Sequence, residues 1–136
     1  MKTSLQPGLE SRRRIHVDKG RTIGFMGEEG RVYATPELLR DIEETCRDLL
    51  LAHCDAGEDS VGTFVKLRHM AATPLGLDVE LTVRVAAVEG REVRFEITAQ
   101  DPLDRICEAS HSRFVVDGAK TLERLKAKRA AAAGRG

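Results

Sequence analysis

The 136-residue sequence contains three side chains, Thr35, Glu43 and His69, whose types suit acid–base chemistry. A hydroxyl can orient a reactant, and a carboxylate or an imidazole can take up or deliver a proton near neutral pH. A carboxylate can also attack an electrophilic carbon directly. These three residues are therefore candidate catalytic residues, provided that the elements of the fold bring them together.

Glu43 belongs to a predicted helix that runs from about Pro36 to about His53. Thr35 precedes it, and a threonine followed by proline is a typical helix start. Glu43 falls about 80° from the centre of the apolar face, where a carboxylate is partly desolvated and suits a general base or nucleophile. Asp41 is assigned to the polar face with the other charged residues. The apolar face comprises Leu38, Leu39, Ile42, Cys46, Leu49 and Leu50.

Each candidate also has a purely structural interpretation. Thr35 is well placed to be only the N-cap of the helix. Glu43 could be an ordinary boundary residue that pairs with an arginine. His69 continues the apolar strand face of Val65 and Leu67, which is also typical of a hydrogen-bonded core histidine. Helix and strand geometry leave both interpretations open for all three residues.

Gly62 and Arg113 are candidates for contact with a substrate. Gly62 stands near the start of a predicted strand, where its backbone amide could approach an oxyanion or where the glycine could simply mark a bulge. Arg113 alternates with His111 on one face of the last strand, where it could hold a phosphate or a substrate oxygen, or be solvated. Further candidates for phosphate binding, or for a solvated face, are Lys66, Arg68, Lys120, Arg124, Lys126 and Lys128.

The rest of the chain predicts an antiparallel sheet, because apolar and polar residues alternate in several short runs. A short strand and a glycine-rich loop precede the helix, and four strands joined as a meander follow it. A second helix begins near Gly118. The long helix must bury its apolar face against the sheet, which gives an α+β hotdog fold with an antiparallel sheet around one central helix. The predicted strands cover residues 12–17, 61–69, 77–85, 93–99 and 105–116, and the loop covers residues 18–30.

Composition and charge narrow the function classes. The 22 basic and 22 acidic residues cancel, which argues against a general nucleic-acid binder. The length fits a single domain over residues 1–136, with flexible ends expected at 1–11 and 130–136. No apolar run approaches the roughly 18 residues of a membrane span, and residues 1–14 lack the apolar core of a secretory signal. We therefore expect no membrane partner and a cytoplasmic location.

Cysteines and histidines predict neither a disulfide nor a metal site. Cys46, Cys54 and Cys107 are an odd number and show no CxxC spacing. The four histidines show no HxxxH or HExxH pattern. We expect reduced thiols, no bound metal and no cofactor.

Five segments of the chain are informative when they are taken together. They are Tyr33-Ala34-Thr35, Glu43 with Cys46, Ser60-Val61-Gly62-Thr63, His69-Met70-Ala71-Ala72-Thr73-Pro74 and Ser110-His111-Ser112-Arg113. Together they resemble the fluoroacetyl-CoA thioesterase family of hotdog proteins. The likeness covers roughly residues 31–120 and runs without an obvious gap from Thr35 to Arg113. Its most specific part is the H-x-A-A-T-P pattern combined with a correctly spaced threonine and glutamate.

The resemblance implies hydrolysis of an acyl-CoA thioester by Thr35, Glu43 and His69, with a backbone-amide contribution from Gly62 and with Arg113 near the substrate. It also implies a homodimer with the site at the subunit interface. The family enzyme that selects the fluorinated substrate has an aromatic-rich lid before its catalytic threonine. Here the corresponding residues 23–30 are shorter, glycine-rich and acidic, with one phenylalanine. We therefore expect a different short-chain or small acyl-CoA as substrate.

Three other functions fit the same architecture. A hotdog module could bind acyl-CoA or another small ligand without turnover. An acyl-CoA hydratase usually pairs an aspartate with a histidine, but the candidate near the helix start, Asp41, is assigned to the polar face. A structural dimerisation domain would tolerate replacement of Glu43 by glutamine.

Overall fold

A long helix packed on a five-stranded antiparallel sheet forms the core of the fold, which confirms the predicted class and its C-terminal helix. The computed structural model describes residues 1–135. In chain order the elements are β1 (Glu10–His16), β2 (Thr22–Ile23), β3 (Val32–Tyr33), α1 (Thr35–Leu51), β4 (Glu58–His69), β5 (Asp78–Glu89), β6 (Glu92–Gln100), β7 (Arg105–Asp117) and α2 (Gly118–Ala133).

Helix α1 forms because its apolar residues recur at helical spacing and Pro36 occupies the first turn. The helix begins at Thr35, with Ala34 as its N-cap, and no side chain caps the first turn. The interpretation of Thr35 as the N-cap is therefore wrong, and its hydroxyl is available for another partner.

The assignment of Asp41 to the polar face of α1 is also wrong. Asp41 is only 4% exposed, because it lies on the same helical stripe as Leu38 and Thr45. A buried carboxylate needs hydrogen-bond donors, and Arg21 and Tyr33 provide them. The buried residues of α1 are Leu38, Asp41, Ile42, Thr45, Cys46 and Leu50.

The strand order in the sheet is β1-β5-β6-β7-β4. The predicted meander is therefore right for β5, β6 and β7 but wrong for β4, which pairs with β7. The segment between β4 and β5, residues 70–77, is no tight turn, because the Tyr33 amide donates to the Thr73 carbonyl at 2.8 Å and Val32 bridges to Pro74. This segment carries the chain past two strands, roughly 14 Å at about 4.8 Å per strand.

Strand β4 lies at the edge of the sheet and contains a β-bulge between Gly62 and Phe64, which confirms the bulge expected at the glycine. Beyond β7, β4 has no other strand partner within residues 1–135. Three of its apolar side chains are exposed: Val61 by 42%, Phe64 by 57% and Val65 by 37%. An unpaired edge that carries exposed apolar residues is a favourable surface for pairing with another chain.

The glycine-rich region before α1 has more regular structure than its sequence predicts. It contains two short 3-10 turns, Lys19–Arg21 and Glu28–Gly30, and β2 pairs with β3 as a small ribbon. Two-residue strands are too short to show a sequence period, so the prediction of a plain loop missed them. Residues 22–32, which contain all of this ribbon except Tyr33, are called the lid segment below.

Helix α2 begins at Gly118 as predicted, and the Asp117 carboxylate accepts a hydrogen bond from the Lys120 amide at 3.0 Å. None of its residues is buried. The C-terminal stretch expected to be flexible, residues 130–136, overlaps α2 and ends at Gly136, which lies outside the described residues. Among the helices of residues 1–135, none combines the length and the apolar character needed to cross a membrane.

Candidate active site

Thr35 and His69 meet where the start of α1 lies against the end of β4. The Thr35 Oγ1 atom is 2.8 Å from His69 Nδ1, a hydrogen-bond distance. The Tyr33 ring stands edge-on to the imidazole, with ring centroids 6.5 Å apart. The hydroxyl and the neighbouring ring therefore hold His69 in one orientation.

His69 also lines a cavity, and its other ring nitrogen lacks a partner. Nε2 is buried and has no hydrogen-bond partner within the described residues, so His69 is not the satisfied core histidine that the alternative interpretation required. Burial lowers the pKa of His69 below its ordinary value, which favours the neutral imidazole. We call the adjacent space of about 370 Å³ the histidine cavity. It is lined by Ile23, Phe25, Val32, Tyr33, Ala34, Thr35, His69, Met70, Ala71 and Ala72.

Glu43 and Gly62 form a second group, where the middle of α1 faces the bulge of β4. The Glu43 side chain is 47% exposed, as expected for the edge of the apolar face. It lies over Gly62, so that a Cβ atom added to Gly62 would be 3.8 Å from the Glu43 carboxyl carbon. We call the space of about 240 Å³ in front of this pair the glutamate cavity. Its lining comprises Glu43, Gly62, Thr63, Phe64, Val65 and His111.

Arg113 is buried behind Glu43 and Gly62. It is 5% exposed, so the solvated alternative is wrong. Its guanidinium donates from Nε to Ser60 Oγ at 2.7 Å and from Nη2 to the Ser60 carbonyl at 2.9 Å. Its Nη1 atom lies 3.9 Å from Glu43 Oε2. Arg113 is thus a buried positive charge behind the carboxylate, held by the strand residue that precedes the bulge.

His111 fixes the bulge itself. Its Nδ1 atom donates to the Phe64 carbonyl at 2.7 Å, because a carbonyl can only accept. Nε2 must then be unprotonated, and it accepts from Arg113 Nη1 at 3.3 Å. Burial is the main cause that lowers the pKa of His111. The neutral ring therefore links the bulge to the buried arginine.

The two buried histidines give a stability prediction with a defined sign. His111 and His69 have pKa values below the ordinary 6.5 in the folded protein, so the unfolded chain protonates first as the pH falls. The free energy of unfolding should therefore decrease below about pH 6.5, by up to about 1.4 kcal/mol per pH unit for each histidine. Urea unfolding at pH 7 and pH 5.5 measures this slope. His111→Asn keeps a donor near the Nδ1 position and should remove the contribution of one histidine to this pH dependence. An unchanged slope would contradict the lowered pKa of His111 in the folded protein.

Replacing Gly62 by alanine should impair the glutamate cavity sterically. The added methyl group would lie 3.3 Å from His111 Cε1 and 3.4 Å from Arg113 Nη1, closer than ordinary contacts. We expect kcat/KM for thioester hydrolysis to fall by about tenfold or more, because sub-ångström displacement of reacting groups is costly. Gly20→Ala is the control, since its methyl group meets only Asp18 Oδ1 at 3.6 Å. Equal turnover in the two variants would argue against a reacting centre at Gly62.

The structure brings the candidate residues together as two groups rather than one. Thr35 and Glu43 are separated by roughly 12 Å along the axis of α1. Within residues 1–135, no hydrogen bond or ion pair joins Glu43 to Thr35 or His69. One described chain therefore presents a hydroxyl–imidazole pair at one cavity and a carboxylate with a bulged glycine at another.

Some residues that shape these groups were missed by the sequence predictions. Ser60 and Tyr33 are recognised in the sequence only as members of motifs, although Ser60 holds Arg113 and Tyr33 donates to the buried Asp41. The sequence pattern gives no indication of the role of Arg21, which also donates to Asp41. The stripe that Asp41 shares with the apolar residues of α1 was an available signal for its burial.

The fold is that of the hotdog proteins, and comparison with known proteins places the chain among the thioester hydrolases of that fold. Residues 17–119 match the family described as fluoroacetyl-CoA-specific thioesterase, and the chain belongs to that family. The match includes all five candidate site residues, and the resemblance found in the sequence is confirmed.

Individual relatives agree with this assignment. The fluoroacetyl-CoA thioesterase of Streptantibioticus cattleyicolor is 35% identical over 97 residues, which cover 71% of this chain and 67% of the relative. A variant of the fluoroacetyl-CoA thioesterase solved with acetyl-CoA superposes with a TM-score of 0.84 at 27% identity, covering 91% of this chain and 98% of that one. A thioesterase superfamily member from Thermus thermophilus superposes with a TM-score of 0.81 at 27% identity, covering 92% and 96%.

Proposed function

We propose that this protein hydrolyses a short-chain or small acyl-CoA to the free acid and CoA. The observation that carries the proposal is the Thr35–His69 pair, which leaves the buried Nε2 atom of His69 without a partner beside a cavity. An unpaired buried nitrogen is costly unless a ligand or substrate uses it. Membership of the thioesterase family supports a thioester as that substrate.

Each active site is completed by two copies of the chain in a homodimer. The edge of β4 supplies an unpaired strand with exposed apolar side chains, which an antiparallel copy would cover. A two-fold axis beside Val65 and Lys66 would place Gly62 of one subunit opposite His69 of the partner subunit. This arrangement joins the glutamate cavity of one subunit to the histidine cavity of the other, which removes the separation of roughly 12 Å along α1.

The reaction begins with addition of an oxygen nucleophile to the thioester carbonyl. Glu43 either takes a proton from the attacking water or attacks the carbonyl carbon itself to give an anhydride that water then cleaves. The carbonyl oxygen becomes an oxyanion, which the Gly62 amide stabilises, and loss of such a donor typically costs about 3 kcal/mol. Collapse breaks the carbon–sulfur bond and releases CoA as a thiolate.

His69 and Thr35 act on the thioester carbonyl and on the leaving sulfur atom. The neutral imidazole either polarises the carbonyl by donating a hydrogen bond from Nε2, or takes up at Nε2 a proton released by the attacking water and passes it to the leaving thiolate, which returns the ring to the neutral form. Thr35 fixes the ring through Nδ1 and so determines where Nε2 points. The hydroxyl also lines the histidine cavity, where it can orient the acyl group.

Arg113 contributes mainly through Glu43. Nε and Nη2 donate to Ser60, and Nη1, which also donates to His111, is the guanidinium nitrogen that faces the carboxylate. The buried guanidinium lies 3.9 Å from Glu43 Oε2, close enough to orient the carboxylate toward the glutamate cavity. Direct contact between Arg113 and the substrate remains a prediction.

A thiol-release screen tests the proposed function. Purified protein is incubated with short, branched and aromatic acyl-CoAs, and free CoA is measured with a thiol reagent. We expect turnover of a short or small acyl group without marked preference for fluoroacetyl-CoA, because the lid segment carries one phenylalanine, Phe25. Binding of acyl-CoA in calorimetry without release of thiol would favour the non-catalytic binding module instead.

The hydratase alternative requires an aspartate that faces the substrate. Asp41 is close to the start of α1, but both of its oxygen atoms accept hydrogen bonds from Arg21 and Tyr33. Its carboxylate is therefore not available to a substrate. Hydrolysis is the reaction that the described side chains support best.

A further inference from the structure

Asp41 is a buried carboxylate that thioester hydrolysis does not use. It is 4% exposed, and three donors surround it. Arg21 donates from Nε to Oδ2 at 2.9 Å and from Nη2 to Oδ1 at 3.2 Å, and the Tyr33 hydroxyl donates to Oδ2. The hydrogen bond to Asp41 is the largest cause that raises the pKa of Arg21. A buried carboxylate that accepts hydrogen bonds from three donor atoms is held in one position.

The two partners of Asp41 flank the lid segment at both ends. Arg21 immediately precedes it and Tyr33 immediately follows it. The two ends are also joined directly, because the Ala34 amide donates to the Arg21 carbonyl at 2.8 Å and Thr22 pairs with Tyr33. One carboxylate on α1 therefore closes the base of the lid segment.

The lid segment forms one wall of the histidine cavity. Ile23, Phe25 and Val32 line that cavity opposite His69. The tip of the segment is loosely held, since Phe25 is 87% exposed and Met26 is 74% exposed. With few buried contacts at its tip, the segment is positioned over the cavity by its base, by the Val32–Pro74 bridge and by the hydrogen bond from the Leu75 amide to the Arg31 carbonyl.

We propose that Asp41 is a positioning residue that clamps both ends of the lid segment and thereby determines which acyl groups the histidine cavity accepts. The proposal rests on the proposed function for its substrate, but the clamp itself is a property of the fold. Asp41 touches no reacting atom, and it acts through Arg21 and Tyr33. The same clamp steadies the Tyr33 ring that stands against the imidazole of His69.

The chain offers a matched control on the same helix. Asp48 also lies on α1 and also pairs with an arginine from a preceding segment, Arg13, at 2.7 Å. Its side chain is 52% exposed and it contacts no part of the lid segment in the described residues. Asp41→Asn and Asp48→Asn therefore remove the same charge, and only the first removes the clamp.

The experiment combines hydrogen exchange with substrate competition. Exchange is followed by mass spectrometry on peptides covering residues 22–32, in the unchanged protein and in both variants. We expect Asp41→Asn to speed exchange of these amides by about tenfold, with Asp48→Asn unchanged. The ratio of kcat/KM between a two-carbon and a branched acyl-CoA should shift by about fivefold or more in Asp41→Asn alone, because pocket shape sets such ratios.

A second variant keeps the test decisive if Asp41→Asn unfolds. Tyr33→Phe removes one donor, keeps the ring and leaves the Arg21 pair, and it should change lid exchange and substrate ratio in the same direction. Normal lid exchange in a folded Asp41→Asn or Tyr33→Phe protein would overturn the clamp. Faster exchange with an unchanged substrate ratio would overturn its role in selectivity. Absence of thiol release in the unchanged protein would count against the proposed function, while lid exchange would still decide the clamp.

Discussion

Glu43→Gln is expected to lower kcat for acyl-CoA hydrolysis by about a thousandfold, the largest effect of any single substitution considered. Glutamine keeps the volume of the side chain but can neither accept a proton from water nor attack a thioester, and such a role typically contributes 10²–10⁴-fold. Because Glu43 is 47% exposed, the change should leave the free energy of unfolding nearly unaltered. Steady-state thiol release and urea unfolding measure the two quantities.

Glu44→Gln is the control for this prediction. Glu44 is the neighbouring residue on α1, its side chain is 58% exposed, and it lies 3.7 Å from Arg40 in a surface ion pair. Surface pairs of this kind contribute little, so Glu44→Gln should keep full turnover. If Glu43→Gln also kept full turnover, the carboxylate would have no part in the reaction.

His69→Ala is expected to give the second largest loss, about a hundredfold in kcat. The substitution removes the unpartnered Nε2 atom of a residue that lines the histidine cavity, and with it the proposed means to polarise the carbonyl or to protonate the leaving thiolate. Thr35→Val should cost less, about tenfold, because it releases the ring without removing it. Single-turnover release of CoA separates this chemical step from product release.

His16→Ala controls for removal of an imidazole. His16 lies on β1, its side chain is 65% exposed, and its Nδ1 atom is 2.8 Å from Asp78 Oδ1. We expect it to turn over like the unchanged protein. A His69→Ala protein that is folded and fully active would remove His69 from the mechanism.

Most elements of the fold could be predicted because their hydrophobic patterns extend over many residues and follow a single period. The apolar stripe of α1 and the alternation in β5 and β6 each persist over enough residues to identify helix and strand. The position of β4 could not be predicted in this way. Its neighbour depends on how residues 70–77 cross the sheet, and that path is decided by contacts with the lid segment rather than by local pattern.

The candidate site was predictable in its residues but not in its arrangement. The edge position of Glu43 follows from helical geometry, and the structure reproduces it. The N-cap interpretation of Thr35 failed because Ala34 takes that position and His69 provides the hydroxyl with a better partner. The burial of Asp41 also escaped prediction, since a charge is assigned to the surface unless its distant partners are known.

The division of the site into two groups is the feature that sequence could least predict. Thr35 and Glu43 lie about two turns apart on α1. Whether they contribute to the same active site depends on where a second chain places its own residues. The proposed working site therefore combines Glu43 and Gly62 of one subunit with Thr35 and His69 of the partner subunit.

A mixed-subunit measurement tests this claim most directly. Glu43→Gln and His69→Ala chains, each inactive alone, are unfolded together in equal amounts, refolded and assayed for thiol release. If sites are shared, every mixed dimer carries one site with both substitutions and one with neither, so the mixture should regain about a quarter of the unchanged activity. If the mixture regains no activity while mixed dimers are present by mass spectrometry, each site lies within one chain and the shared active site is contradicted.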